Sequence, residues 1–93
     1  MYIQNLSGII PTNKQLEFEQ TYRLVLAQMP DGCKSMYIAK DVMHDGVYYI
    51  KFHSEDLQVL KSFTHSPIFT MLVGAFNTLG KLYENDEGEI HLC

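Results

Sequence analysis

Ser35-Met36-Tyr37-Ile38-Ala39-Lys40-Asp41, followed by Val42-Met43, then His44-Asp45-Gly46 and Val47-Tyr48-Tyr49-Ile50-Lys51-Phe52-His53, is the stretch that decides the architecture. Two runs rich in β-branched and aromatic residues flank a turn signal, which predicts a β-hairpin. In the second run Val47, Tyr49, Lys51 and His53 share one face, and Tyr48, Ile50 and Phe52 the other. In the first run the same two-residue period puts Met36, Ile38 and Lys40 opposite Ser35, Tyr37 and Ala39. Neither face of the hairpin is plainly polar, so both need cover, and a helix layer supplies it on one side only.

Upstream of the hairpin, Met1 to Ile10 is expected to be a strand, with Gly8 marking a bulge or a close backbone approach. Pro11 stops it. Thr12 with Gln15 three residues on has the form of a capping box, and a helix is expected from about Asn13 to Met29. Phe18, Tyr22, Val25, Leu26 and Met29 paint its apolar stripe. Pro30-Asp31-Gly32 ends it.

Downstream, Ser54 is placed to cap a short helix with Leu57, Leu60 and Phe63 inward. Ser66 and Pro67 open another in the N-cap and N1 positions, carrying Phe69, Leu72, Val73, Phe76 and Leu79 as far as Gly80. Leu82-Tyr83 begins a fourth strand, Asn85 to Gly88 reads as a turn, and Glu89 to Leu92 as another short strand. Either piece could complete the sheet. The order strand, helix, strand, strand, helix, strand is that of a single α+β, ferredoxin-like domain over residues 1–93, with its helices on one face.

Composition narrows the functional classes. The 93-residue chain of 10.7 kDa has a modest core, so oligomerisation is a natural source of further burial. Its formal charge of −4, from seven basic and eleven acidic residues, leaves no basic footprint for nucleic acid. No apolar run approaches the length of a membrane span, and the first residues lack the form of a signal peptide, so a cytoplasmic, soluble protein is expected. Two cysteines, Cys33 and Cys93, make no disulfide framework; Cys33 reads as a small buried hydrophobe. The four histidines show no metal-ligand spacing and the glycines no phosphate loop, so neither metal nor cofactor is expected.

Three segments carry a resemblance. Pro30-Asp31-Gly32-Cys33, Phe52-His53-Ser54-Glu55-Asp56-Leu57 and His65-Ser66-Pro67-Ile68-Phe69 are similar to segments of the antibiotic biosynthesis monooxygenase family, within the dimeric α/β-barrel superfamily. The resemblance spans about Met1 to Gly80. It departs from the family pattern at His65, which directly precedes the Ser instead of standing three residues before it. It implies a homodimer in which two ferredoxin-like sheets form one barrel, with a cavity between sheet and helices in each subunit. It also implies a small hydrophobic ligand. Family members include cofactor-free oxygenases of polycyclic substrates, haem-degrading enzymes and an aldehyde-signal processing enzyme. In the haem-degrading branch Asn5 would hold the first-strand Asn place, but Phe52 stands at the expected Trp and Val73 near the expected iron-binding His. Without that imidazole, haem chemistry is disfavoured.

The cofactor-free oxygenases deprotonate an aromatic substrate so that its anion reacts with dioxygen. The protein then needs an acid–base group, donors for anionic oxygens and an apolar pocket. His65, His53 and Asn5 are the candidate catalytic residues on this reading; Tyr22, Tyr37, Tyr49, Phe52, Phe69 and Val73 are the candidate substrate contacts. Each also has a structural reading. His65 at a helix break can bond the carbonyls of the preceding turn, and His53 can support the neighbouring cap. Asn5 can bond local backbone, Tyr22 can be core, and Tyr37 and Tyr49 can be cross-strand fillers. A non-catalytic ligand-binding or regulatory dimer on the same fold remains the alternative.

Overall fold

The computed structural model describes residues 1–91. The elements run β1 (Tyr2–Ile9), α1 (Gln15–Ala27), β2 (Cys33–Lys40), β3 (Val47–Ser54), α2 (Leu57–Thr64), α3 (Pro67–Leu79) and β4 (Lys81–Glu89). The sheet is antiparallel throughout, in the order β2-β3-β1-β4. This is the ferredoxin-like arrangement: the two split β-α-β units interleave, so the first and third strands become the centre. The hairpin forms as expected, and Gly46 takes a φ of 83° at its turn, a region open to glycine at little steric cost.

All three helices pack on the face that carries Tyr48, Ile50 and Phe52. Phe18 of α1 meets the rings of Tyr48 at 5.0 Å and Phe76 of α3 at 4.5 Å. Phe52 meets Phe63 of α2 at 5.0 Å and Phe69 of α3 at 6.2 Å. These tilted and edge-on contacts suit the ring quadrupoles, and burial of each ring is worth about 1.5–3 kcal/mol. Leu6, Ile10, Val25, Leu60 and Leu72 complete the buried layer.

Several local expectations are corrected. Thr12 does not cap a helix. Residues Thr12–Lys14 form a 3-10 turn, the Thr12 hydroxyl donates to Asp45 Oδ2 at 3.0 Å across to the hairpin, and Gln15 Nε2 turns inward to the Ile10 carbonyl at 3.2 Å. A tertiary partner thus claims Thr12, and the carbonyl at the end of the preceding strand claims Gln15. Leu26 of the predicted stripe is 42% exposed, because Phe18, Tyr22 and Val25 already occupy the arc that meets the sheet.

Ser54 is the last residue of β3, and Asp56 is the N-cap of α2, accepting from the Gln58 amide at 2.8 Å. Ser54 serves one step earlier, accepting from the Asp56 amide at 3.1 Å. Ser66 and Pro67 take the N-cap and N1 positions of α3 as predicted.

The register of β2 shifts between Ser35 and Tyr37. The shift moves Met36 out of its expected row. Ser35, Ile38 and Lys40 lie opposite Phe52, Ile50 and Tyr48 on the helix side, while Lys34, Tyr37 and Ala39 lie on the other.

Asn85 to Gly88 is not a turn. It lies within β4, paired along β1 from Leu6↔Asn85 to Ile3↔Gly88. Its polar side chains mislead because an edge strand needs only backbone pairing, and charged residues there also guard against further strand addition. Of the separate strand expected at Glu89 to Leu92, Glu89 is instead the last residue of β4, and Leu92 lies outside the described residues.

Candidate functional site

The strand alternation and the break between α2 and α3 together produce a cleft of about 420 Å³, lined by Gln4, Thr64, His65, Phe69, Asn85 and Glu87. Gln4 sits in β1 in the same inward register as Leu6, so its side chain enters the helix-covered layer; it is 2% exposed. Cross-strand pairing of Gln4 with Glu87, and of Leu6 with Asn85, puts both β4 side chains on that same side. Gln4 Nε2 donates to Asn85 Oδ1 at 2.6 Å.

The opposite wall is the helix junction. Helix α2 stops at Thr64, and the His65 and Ser66 amides bond back to the carbonyls of Lys61 and Phe63, both at 3.0 Å. The His65 ring follows its backbone: Nδ1 lies 2.7 Å from the Lys61 carbonyl oxygen. A carbonyl only accepts, so Nδ1 carries the proton, and in the neutral ring the lone pair is on Nε2. Phe69, on the first turn of α3, closes the apolar side and is itself anchored among Phe52 and Phe63. Glu87 is the one formal charge among these lining residues.

The predicted site residues divide into three groups. His65 and Phe69 meet in the cleft. Phe52 is fully buried and Tyr22 is 5% exposed, so both are core; Val73 is half-buried against that core. The Tyr22 hydroxyl is hydrogen-bonded to Ser35 Oγ, and burial raises its pKa against that bond. Asn5, Tyr37, Tyr49 and His53 lie on the open face, separated from His65 by the sheet.

On that face, Tyr49 donates to Asp41 Oδ2 at 2.7 Å, and this bond, with that from the Met43 amide, lowers the Asp41 pKa to about 2. His53 borders a second depression of about 320 Å³ with Gly32, Lys34, Ser54, Glu55 and Asp56, and its Nδ1 is buried without a partner among the described residues. Cys33 is free and buried, and desolvation pushes its thiol pKa up to about 11, the opposite of what a nucleophile needs. Among the described residues no cluster of His, Cys, Asp and Glu is placed to hold a metal ion, and no helix is long and apolar enough to cross a membrane.

Gln4, Thr64, Asn85 and Glu87 were not anticipated as site residues. For Gln4 a signal existed: a long amide in step with Leu6 and Gly8, where an inward strand face should be apolar. For Asn85 and Glu87 none did, because their run has the composition of a turn.

No protein-family model matches this chain, and no curated protein matches it in sequence. Solved structures do match in shape. A Deinococcus radiodurans protein provisionally named an antibiotic biosynthesis monooxygenase superposes with a TM-score of 0.82 over 100% of this chain and 95% of its own, at 18% identity. A Bacteroides thetaiotaomicron protein of unknown function, described as a possible oxidoreductase, gives 0.79 over 96% of each chain at 14% identity. A further structure named antibiotic biosynthesis monooxygenase gives 0.74 over 100% and 99%, at 17% identity. This chain shares their fold. At such identities the likeness speaks for the fold and not for its chemistry.

Proposed function

We propose that the protein is a homodimeric, cofactor-independent oxygenase of the antibiotic biosynthesis monooxygenase type, acting on a small aromatic or quinone-forming compound in the Gln4–His65–Asn85 cleft. The observation behind this reading is that His65 lines the cleft beside Gln4 and Asn85; its 2.7 Å bond to the Lys61 carbonyl is the helix-end contact that a structural role also gives, and it leaves the lone pair of the neutral ring on Nε2. A ring seated in the cleft would present an activated CH₂ to that base. Proton removal gives an enolate that can reduce dioxygen. One oxygen becomes the new carbonyl, and the other leaves as water with the two hydrogens lost from carbon. On this reading the Gln4 and Asn85 amides would be the donors to negative charge developing on a substrate oxygen. A volume of about 420 Å³ suits a ligand of a few fused rings at most.

The test is oxygen uptake with anthrone-like and hydroxynaphthalene compounds. Turnover by the wild type should fall by roughly 10²-fold or more in His65→Ala. An unchanged rate in the folded variant removes His65 from the mechanism, and no uptake with any such compound removes the oxygenase reading.

A second reading, a non-catalytic ligand-binding dimer, is favoured by one feature. The space between sheet and helices is filled by Phe18, Phe52, Phe63 and Phe76, so the cleft lies at the margin of the core and not inside a dry, enclosed cavity. Ligand binding without oxygen uptake would select it.

A further inference from the structure

The open face of the sheet carries opposite charges on opposite edges. Register sets Lys34 beside His53, Lys51 beside Asn5, Asn5 beside Asp86, and Ser7 beside Glu84. Directly paired residues emerge on the same side of a sheet, so Lys34 and Lys51 mark the β2–β3 half of this face, and Glu84 and Asp86 mark β4. Lys51 Nζ lies 5.7 Å from the centre of the Tyr37 ring, which holds the ammonium on the face. At the far end of the strands the signs exchange. Asp41, which follows β2 and accepts from Tyr49, is on the β2 edge, and Lys81, paired with Ile9, is on the β4 edge. Within one chain these charges stay apart, because β1 separates Lys51 from Asp86 by two strand spacings, roughly 10 Å. Among the described residues none of Lys34, Lys51, Lys81, Glu84 and Asp86 is in an ion pair.

We infer that a second copy of this chain covers the face with its β4 over the β2–β3 half of the first, so that Glu84 and Asp86 of each copy meet Lys51 of the other. This rests on the homodimer of the proposed function and goes beyond it, because it assigns how the two copies are turned. Two-fold pairing of two sheets face to face, aligned or crossed, is of two kinds. In one, β4 of each copy lies over the β2–β3 half of its partner. In the other, β4 meets β4 and β3 meets β3. The second kind sets Glu84 and Asp86 against their own copies, and Lys51 beside Lys51. The first sets carboxylates against lysines, and with aligned strands it also sets Asp41 against Lys81. Both kinds bury Ile3, Ile9 and Val47, so apolar area gives affinity without choosing between them. The charges choose, since like charges brought together at an interface are penalised and complementary ones fix register.

The test is charge reversal in the full chain, read as mass by light scattering and native mass spectrometry over a dilution series. One variant is Lys51→Glu; the other combines Glu84→Lys with Asp86→Lys. Each alone puts like charges together at both symmetric contacts, and should dimerise about tenfold more weakly than wild type. Mixed in equal amounts, the two should form a heterodimer of near wild-type affinity, because every reversed charge then faces its opposite. That rescue separates charge pairing from lost packing of the Lys51 stem. Circular dichroism checks that the variants fold, and Lys34→Glu, at an exposed position, replaces Lys51→Glu if that variant does not. Under the other pairing the same reversals exchange like charges for like charges, so each variant alone would dimerise as tightly as wild type. That result, or a mixture that forms no heterodimer, overturns the orientation while the dimer stands. A wild-type monomer removes the dimer and the inference together, and neither outcome touches the oxygen-uptake test of the cleft.

Discussion

The ring of Phe76 in α3 lies against Gly8 in β1, where any side chain larger than hydrogen would have to be. A Cβ at Gly8 would also run into the Lys81 carbonyl oxygen, on the neighbouring strand. The register between β1 and β4 shifts between Ser7 and Gly8, so the bulge and the close approach coincide there. Gly8→Val should therefore destabilise the fold by about 1–3 kcal/mol, as overpacking does. Phe76→Ala should cost about 3–5 kcal/mol through the cavity it leaves. Urea unfolding followed by circular dichroism reads both; a Gly8→Val midpoint equal to wild type would contradict the contact.

The start of α2 gives a sharper test, because two residues compete for one role. Asp56 accepts from the Gln58 amide, and Ser54 only from the Asp56 amide. Asp56→Ala should cost about 1 kcal/mol as loss of an N-cap. In amide hydrogen exchange, Asp56→Ala should lower protection of the Gln58 amide and Ser54→Ala should leave it unchanged. The reverse pattern would return the cap to Ser54.

Asp41 sets an acid limb on stability. Its folded pKa is lowered to about 2, first by the Tyr49 hydroxyl and then by the Met43 amide. A folded pKa below the unfolded value means that the carboxylate favours the folded state above the unfolded pKa. That contribution is lost as the pH falls through the folded pKa. The loss should run from about pH 4 down to about pH 2. Asp41→Asn should flatten this part of the stability profile, and Tyr49→Phe should raise the Asp41 pKa in a carboxyl NMR titration. An Asp41 pKa at the ordinary aspartate value in the wild type would refute the bond.

The open face of the sheet combines Ile3, Ile9, Val47, Tyr37 and Tyr49 with Asn5, Lys51 and His53, and among the described residues no helix covers it. In the proposed dimer a second copy does. Light scattering at micromolar concentration should give about twice the 10.7 kDa chain mass. Tyr37→Asp, on that face and 44% exposed, should lower the mass toward the monomer without loss of secondary structure. A wild-type monomer under these conditions would defeat the barrel arrangement.

Where burial and local chemistry agreed, the elements were legible in the residues themselves. The hairpin around Gly46, the alternation of Tyr48, Ile50 and Phe52 and the Ser66-Pro67 start of α3 each follow from a side chain meeting its own nearest neighbours. Their physical causes act within a few residues, or through a period that the sequence displays.

What only the tertiary structure decided depends on partners far along the chain. Thr12 looked like a cap until Asp45, 33 residues away, took its hydroxyl. Asn85 to Gly88 looked like a turn until β1 offered a backbone edge. The same pairing brought Asn85 to Gln4, 81 positions distant, and made the cleft. Asn5 and His53 looked equivalent to His65 as candidates, yet the sheet separates them, because one residue of register changes the face on which a side chain emerges. Residue type alone determined which groups could do chemistry. Which of them share a cavity was set by strand order and register, and those depend on long-range pairings that no local pattern encodes.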